Sequence, residues 1–189
     1  MRKPQNFTLL VLIGIVLDHA SKFLVFTKLA PGQFVVVADN WLEIRPEKNF
    51  GVAFSMFRNH PSFILIVSLI ALALITLLYI RVWRTAHPLL VCSLGLLLVG
   101  AIGNLIDRLV FGFVRDFIDF VHPLPIVEHW AVFNVADICI TVGVFLFLIT
   151  EIFFKDPAHA KPTPAVEVTP AAPASTPPAS TSSSSGNTP

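Results

Sequence analysis

Four stretches of the chain, residues 7–26, 63–80, 88–106 and 131–150, are apolar over nearly their whole length. Each is close to the roughly 20 helical residues needed to cross a hydrocarbon core about 30 Å thick. The second and third carry no charged side chain, the first is interrupted by Asp18 and Lys22, and the fourth by Asp137. Arg81, Arg84 and His87 punctuate the short gap between the middle two. The pattern predicts four transmembrane helices. Arg2 and Lys3 ahead of an apolar run also fit a signal peptide, but Asp18 and Lys22 break the run and the Ala30-Pro31 junction lacks an A-x-A pattern. The first segment is therefore read as a retained span.

The connections differ in character. Between spans one and two, residues 33–38 and 41–45 alternate and are rich in β-branched side chains, with Asp39-Asn40 between them as a turn. They predict a small β element within about 31–60. Residues 111–130 are rich in aromatics and predict a short interfacial segment, where amphipathic rings settle. Lys and Arg are densest in the short flanks, at Arg2, Lys3, Arg81, Arg84, Lys155 and Lys161. That places both termini in the cytoplasm and the β element and interfacial segment on the outer, periplasmic face. The fold class is thus an all-α integral membrane protein, with its membrane domain at 1–156. Residues 157–189 hold 8 Pro, 7 Ala, 6 Ser and 5 Thr, a composition that cannot bury a core and predicts a disordered tail.

Composition narrows the class further. Only 13% of the 189 residues are charged, and the mean hydropathy is +0.76. A soluble domain carries about 25% charge. The net charge of +1 offers nothing to a polyanion, so no nucleic-acid partner is expected. Cys92 and Cys139 sit singly in apolar runs and read as packed thiols, not as a disulfide or metal site.

Ionisable groups inside a bilayer are costly, so each marks a functional hypothesis. In the predicted topology they converge at one depth, just inside the outer boundary. Asp18 and Lys22 come from span one, Asn104, Asp107 and Arg108 from the end of span three, and Asn134 and Asp137 from the start of span four. Asn49 lies in the first outer segment, and Asp116 and Asp119 in the second. Ser55 and His60 do not form a convincing nucleophile pair, and the six histidines show no zinc-binding spacing. Carboxylates remain. Two of them in a poorly hydrated site share a proton, one activating water while the other protonates the departing group, with no metal or cofactor. Asp137 is one such group, and spacing alone leaves Asp116 and Asp119 both open as its partner. Bland readings stand beside this one. Asp18 and Lys22 form an i,i+4 pair that neutralises itself, Asp107 suits a nearby Arg, Arg108 can snorkel, and Asn104 and Asn134 can bond each other. Asp137 can also serve as a helix N-terminal anchor.

Five segments resemble the lipoprotein signal peptidases, the type II signal peptidases of the bacterial inner membrane, in that family's order. They are Asp18-His-Ala-Ser-Lys22, Asn49-Phe-Gly-Val-Ala-Phe-Ser55, Gly100-Ala-Ile-Gly-Asn-Leu-Ile-Asp-Arg108, Gly112-Phe-Val-Arg-Asp-Phe117 and Phe133-Asn-Val-Ala-Asp137. The resemblance spans about residues 7–154, with one departure at Val52, where the family usually has Ala. It implies an intramembrane aspartyl endopeptidase that cleaves prolipoproteins before a diacylglyceryl-modified cysteine. By motif position it assigns catalysis to Asp116 and Asp137, substrate binding to Asn49, Gly51, Asn104, Arg108 and Asn134, and support to Asp18 and Lys22. It also implies membrane lipid as a partner, sensitivity to globomycin-type inhibitors, no cofactor, and a monomer, since one chain supplies every site element. The rival reading is a small proton or solute transporter using intramembrane carboxylates. Charges gathered at one depth and the lack of a visible inverted repeat disfavour it.

Overall fold

The structure, a computed structural model, describes residues 3–51, 59–124, 127–129 and 131–154. Four long helices, each apolar enough to cross a membrane, carry the chain: α1 (Lys3–Lys28), α2 (Pro61–Val82), α3 (Pro88–Phe111) and α4 (Val135–Phe153). Their boundaries follow local chemistry. Pro61 and Pro88 open α2 and α3, where a missing N–H costs nothing. Gly112, with φ 77°, ends α3 in the left-handed conformation that only glycine adopts freely. Thus α3 outlasts the predicted span and carries Asp107 and Arg108 within it. Span four shortens instead: residues 131–134 are not helical, and Asn134 caps α4.

The bundle is organised around α3, which touches each of the other three helices. Over half of its apolar window, 56%, is buried, against at most 17% in any other helix. The remaining helices turn most of their apolar surface outward, as lipid-facing helices do. At the end of the bundle holding the start of α3, Phe7, Val91, Leu94 and Leu98 form a closed apolar cluster. The Phe7 ring stacks on Tyr79 there with centroids 3.7 Å apart. Cys92 and Cys139 are free and half-buried.

At the opposite end lies a sheet of order β1-β2-β3-β4: β1 (Val35–Ala38), β2 (Leu42–Asn49), β3 (Val114–Leu124) and β4 (Val127–His129). The predicted hairpin is present, turning at Asn40 with φ 59°. The second connection adds a strand that the sequence reading did not assign. The aromatic segment predicted to rest at the interface is β structure, its backbone pairing antiparallel with β2. Asp116 and Asp119, both left open by spacing, lie three residues apart on this strand. β2 also bulges between Ile44 and Glu47, where Pro46 cannot donate to a ladder.

One short contact positions the site. Phe133 bridges to β3, its carbonyl accepting from the Phe117 and Ile118 amides at 3.0 and 2.8 Å, while its own amide donates to Ile118 at 3.0 Å. The entry to α4 is thereby stitched beside β3. Residues 52–58, with the second half of the Asn49 motif, Val52 and Ser55, lie outside the described residues, as does the tail from 155 onward.

Candidate active site

The first turn of α4 is a capping box. The Asn134 side chain accepts from the Asp137 amide at 3.1 Å, and Asp137 Oδ2 accepts from the Asn134 amide at 3.1 Å. Two of the helix's unpaired N–H groups are satisfied in this way. A third, from Ala136, donates to Asp18 Oδ1 of α1 at 2.9 Å. Asp137 is therefore both the helix anchor allowed by its position and a carboxyl with one oxygen, Oδ1, turned elsewhere. Asp18 reaches Ala136 only because Gly103 lies opposite: a Cβ there would sit 2.6 Å from Asp18 Oδ2.

Lys22 is fully buried, and its ammonium sits among three oxygens. Asp18 Oδ2 is at 2.8 Å, Asp107 Oδ2 at 3.2 Å and Asn104 Oδ1 at 3.3 Å. Asp107 is in turn gripped by Arg115, whose Nε and Nη2 donate to Oδ1 at 3.1 and 2.7 Å and whose amide donates to Oδ2 at 2.9 Å. A forked guanidinium on a carboxylate is among the stronger polar contacts available to a buried charge. The sequence reading gave Arg115 no role beyond its place in the Gly112-to-Phe117 segment. The one hint was that Asp107 needed an arginine.

These groups surround Asp116 and Asp137. Asn134 Nδ2 donates to Asp116 Oδ1 at 2.6 Å, and Asn49 Nδ2 to Asp116 Oδ2 at 2.9 Å. Asn104 Nδ2 donates to Asp137 Oδ1 at 2.7 Å, and Asn134 Nδ2 to Asn104 Oδ1 at 3.2 Å. The carboxyls are linked through amides rather than by a direct hydrogen bond. Burial first, and the neighbouring Asp137 charge second, push the Asp116 carboxyl up to about 7, against the pull of Asn134, Asn49 and Lys22. That is the range in which a carboxyl can hold or release a proton at neutral pH.

Strand parity separates Asp116 from Asp119. Val114, Asp116 and Phe120 share one face of β3, and Val114 and Phe120 line a groove of about 1190 Å³. Asp119, an odd number of residues away, points to the opposite face. There it meets Arg45 Nε at 2.9 Å, an ion pair without hydrogen-bond alignment. The β2 bulge carries Arg45. The groove runs along α3 between α2 and α4, with Ala71 and Ile75 on one wall and Thr141 on the other. Asn49, Asn104, Arg108 and Asp137 are its polar lining groups near the sheet. Arg108 Nη2 donates to the Gly51 carbonyl at 3.2 Å and Nη1 to the Asn104 carbonyl at 3.4 Å, tying the end of β2 to α3. Among the described residues, no group of three or more His, Cys, Asp or Glu side chains is placed to hold a metal ion.

The chain as a whole is similar to known proteins. Residues 10–153 match the family Peptidase_A8, described as signal peptidase (SPase) II. The lipoprotein signal peptidase of Symbiobacterium thermophilum is 38% identical over 74% of this chain and 90% of its own. That of Desulforapulum autotrophicum is 39% identical over 77% of this chain and 90% of its own. A bacterial membrane enzyme solved by the in meso method superposes with TM-score 0.69 at 27% identity, covering 84% of this chain and 93% of that one.

Proposed function

We propose, for a chain that belongs to the signal peptidase II family, that Asp116 and Asp137 form an aspartyl dyad. Family membership makes the chain a lipoprotein-processing protease of a multi-pass membrane protein class and sets the transporter reading aside. The dyad would cleave prolipoproteins immediately before a diacylglyceryl-modified cysteine, on the outer side of the bacterial inner membrane. The observation that carries this reading is the pairing itself: two carboxyls, Asp116 raised to about 7, are joined through the Asn134 and Asn104 amides beside the polar end of an apolar groove.

The chemistry follows from the donors. One carboxylate takes a proton from a water as that water's oxygen attacks the scissile carbonyl carbon. The resulting gem-diol collapses, the C–N bond breaks, and the protonated partner delivers its proton to the leaving amine of the modified cysteine. One proton enters the pair and one leaves it, so the dyad is restored. In this reading Arg108, Asn49 and Gly51, joined at the end of β2, hold the substrate backbone beside the pair. The apolar groove suits a signal-peptide segment and its lipid, both anchored in the same bilayer. Anchoring pre-orients the scissile bond at the depth of the carboxyls.

Purified protein in detergent, given a diacylglyceryl-modified prolipoprotein and its unmodified counterpart, should cleave only the first. Asp116→Asn and Asp137→Asn should each lose more than ~10³-fold in kcat while still folding. Substantial cleavage by either variant removes that residue from the dyad. Absence of cleavage by the unaltered chain overturns the functional reading as a whole.

A further inference from the structure

We propose that Lys22 is a positioning residue whose charge decides which end of the Asn104 side chain faces Asp137. The inference rests on the dyad reading and deepens it.

Asn104 presents two chemically opposite ends, an acceptor oxygen and a donor NH₂ of nearly the same shape. Lys22 has donors only, so the atom 3.3 Å from its ammonium must be the amide oxygen. The Asn134 Nδ2 donor, 3.2 Å from the same oxygen, agrees with that choice. The NH₂ is then left facing Asp137 Oδ1 at 2.7 Å, where it can only donate. Asn134 is neutral and shares its own NH₂ between Asn104 and Asp116. On the oxygen side of Asn104, Lys22 is therefore the one charged constraint on the orientation. It is itself fixed: its three N–H groups have three oxygen partners, two of them carboxylates, and none of the side chain is exposed.

The orientation has a chemical consequence. An amide donor on Asp137 Oδ1 occupies a lone pair and favours the ionised carboxylate there. An amide oxygen in the same place would be repelled by a carboxylate and tolerable only if Asp137 Oδ1 carried the proton. Lys22, acting through Asn104, thus keeps the shared proton off that oxygen and free to serve the reaction. The charged or titratable groups around this chain of contacts are Asp18 and His19 of α1, Asp107 and Arg108 of α3, Arg115 and Asp116 of β3, and Asp137 and Cys139 of α4. Only Lys22 among them touches the Asn104 amide oxygen.

Lys22→Gln alone would leave Asp18 short of a counter-charge, so the informative variant is Lys22→Gln with Asp18→Asn. Removing both members of a buried pair is milder than removing one, and the asparagine retains an oxygen for the Ala136 amide. The double variant should fold and show KM within about threefold of the unaltered chain, with kcat lowered at least about tenfold. The acid limb of its pH–rate profile should move up by about one pH unit, a tenfold change in proton affinity. Lys22→Arg, which keeps a donor-only cation, should leave that limb in place, and it decides the matter if the double variant does not fold. Infrared titration of the dyad's carboxyl band, assigned with Asp137→Asn, should show the same displacement without any turnover. Failure of the unaltered chain to cleave prolipoprotein would sink the functional reading while leaving this titration interpretable. Recovery of the normal kcat and pH limb in the double variant, or an arginine variant displaced like the glutamine one, would show that Lys22 only balances charge and would overturn the proposal.

Discussion

The two ends of α3 are buried to similar degrees by opposite means. Near its start, Leu94 and Leu98 pack with Phe7 and Val91, and the contacts have no direction beyond shape. Near its close, Asn104 and Asp107 are equally enclosed, yet each contact there has a donor and an acceptor. An apolar core accepts many sequences of similar volume. A buried polar network accepts few, because one lost partner leaves a neighbour unsatisfied. Replacing such networks with apolar residues is often neutral or stabilising. The polar end therefore depends on each of its partners, where the apolar end depends mainly on volume.

The hardest test of that contrast is Asn104→Leu, which changes polarity with little change in volume. It removes the donor to Asp137 and the acceptor of Lys22 and Asn134 together. Cleavage should fall about 10²-fold, in line with loss of a preorganised donor, and stability should drop by about 2 kcal/mol. Leu98→Met in the apolar half supplies the benchmark, costing less than about 1.5 kcal/mol with cleavage unchanged. If thermal melts and kcat treat the two substitutions alike, the ends of α3 do not differ in kind.

Titration sharpens the contrast, since at the polar end Asp116 holds its proton more tightly in the folded chain. With its carboxyl raised to about 7 in the folded chain, Asp116 binds a proton more tightly folded than unfolded. The stability this supplies is complete below the ordinary carboxylate range near 4 and is lost as pH rises through about 7. Asp116→Asn should flatten that part of the stability-against-pH curve, measured by chemical denaturation in detergent between pH 5 and 8. A slope unchanged by the substitution would assign the effect to another group.

How much of this was legible in the sequence depends on whether position along the chain determines position in space. The spans were readable because uninterrupted apolar runs have one stable outcome in a bilayer, and the meeting of polar residues followed from the directions of the four helices. The first hairpin was readable from its β-branched residues and Asp39-Asn40. The second connection was not. Its aromatic residues suit a membrane interface in any backbone conformation, and only pairing with β2 makes it a strand. Gly103 and Arg115 were equally hidden. Nothing local to Gly103 says that Asp18 needs the space, and nothing local to Arg115 says that Asp107 lies within reach. These are relations between distant segments, and a single sequence carries no record of them.

The smallest effect should come from Asp119→Asn, and it tests whether burial or connection is what matters. Asp119 is as buried as Asp116, at 1% exposure each, and lies three residues away on the same strand. Residue type, burial and neighbourhood would rank the two together. Strand parity does not, since an odd step on a pleated strand places them on opposite faces. Asp119 is turned to Arg45, whose side chain is 39% exposed, and has no bond to Asn49, Asn104 or Asn134. A partly solvated ion pair contributes about 1 kcal/mol or less. The asparagine keeps the shape and an oxygen for Arg45, so the sheet should hold and cleavage should stay within about threefold. Melting temperature and kcat measured beside Asp116→Asn settle the point. A loss of cleavage comparable to that variant's would mean that the far face of β3 also serves the site, and that the polar end is larger than the amide-linked set around Asp116 and Asp137.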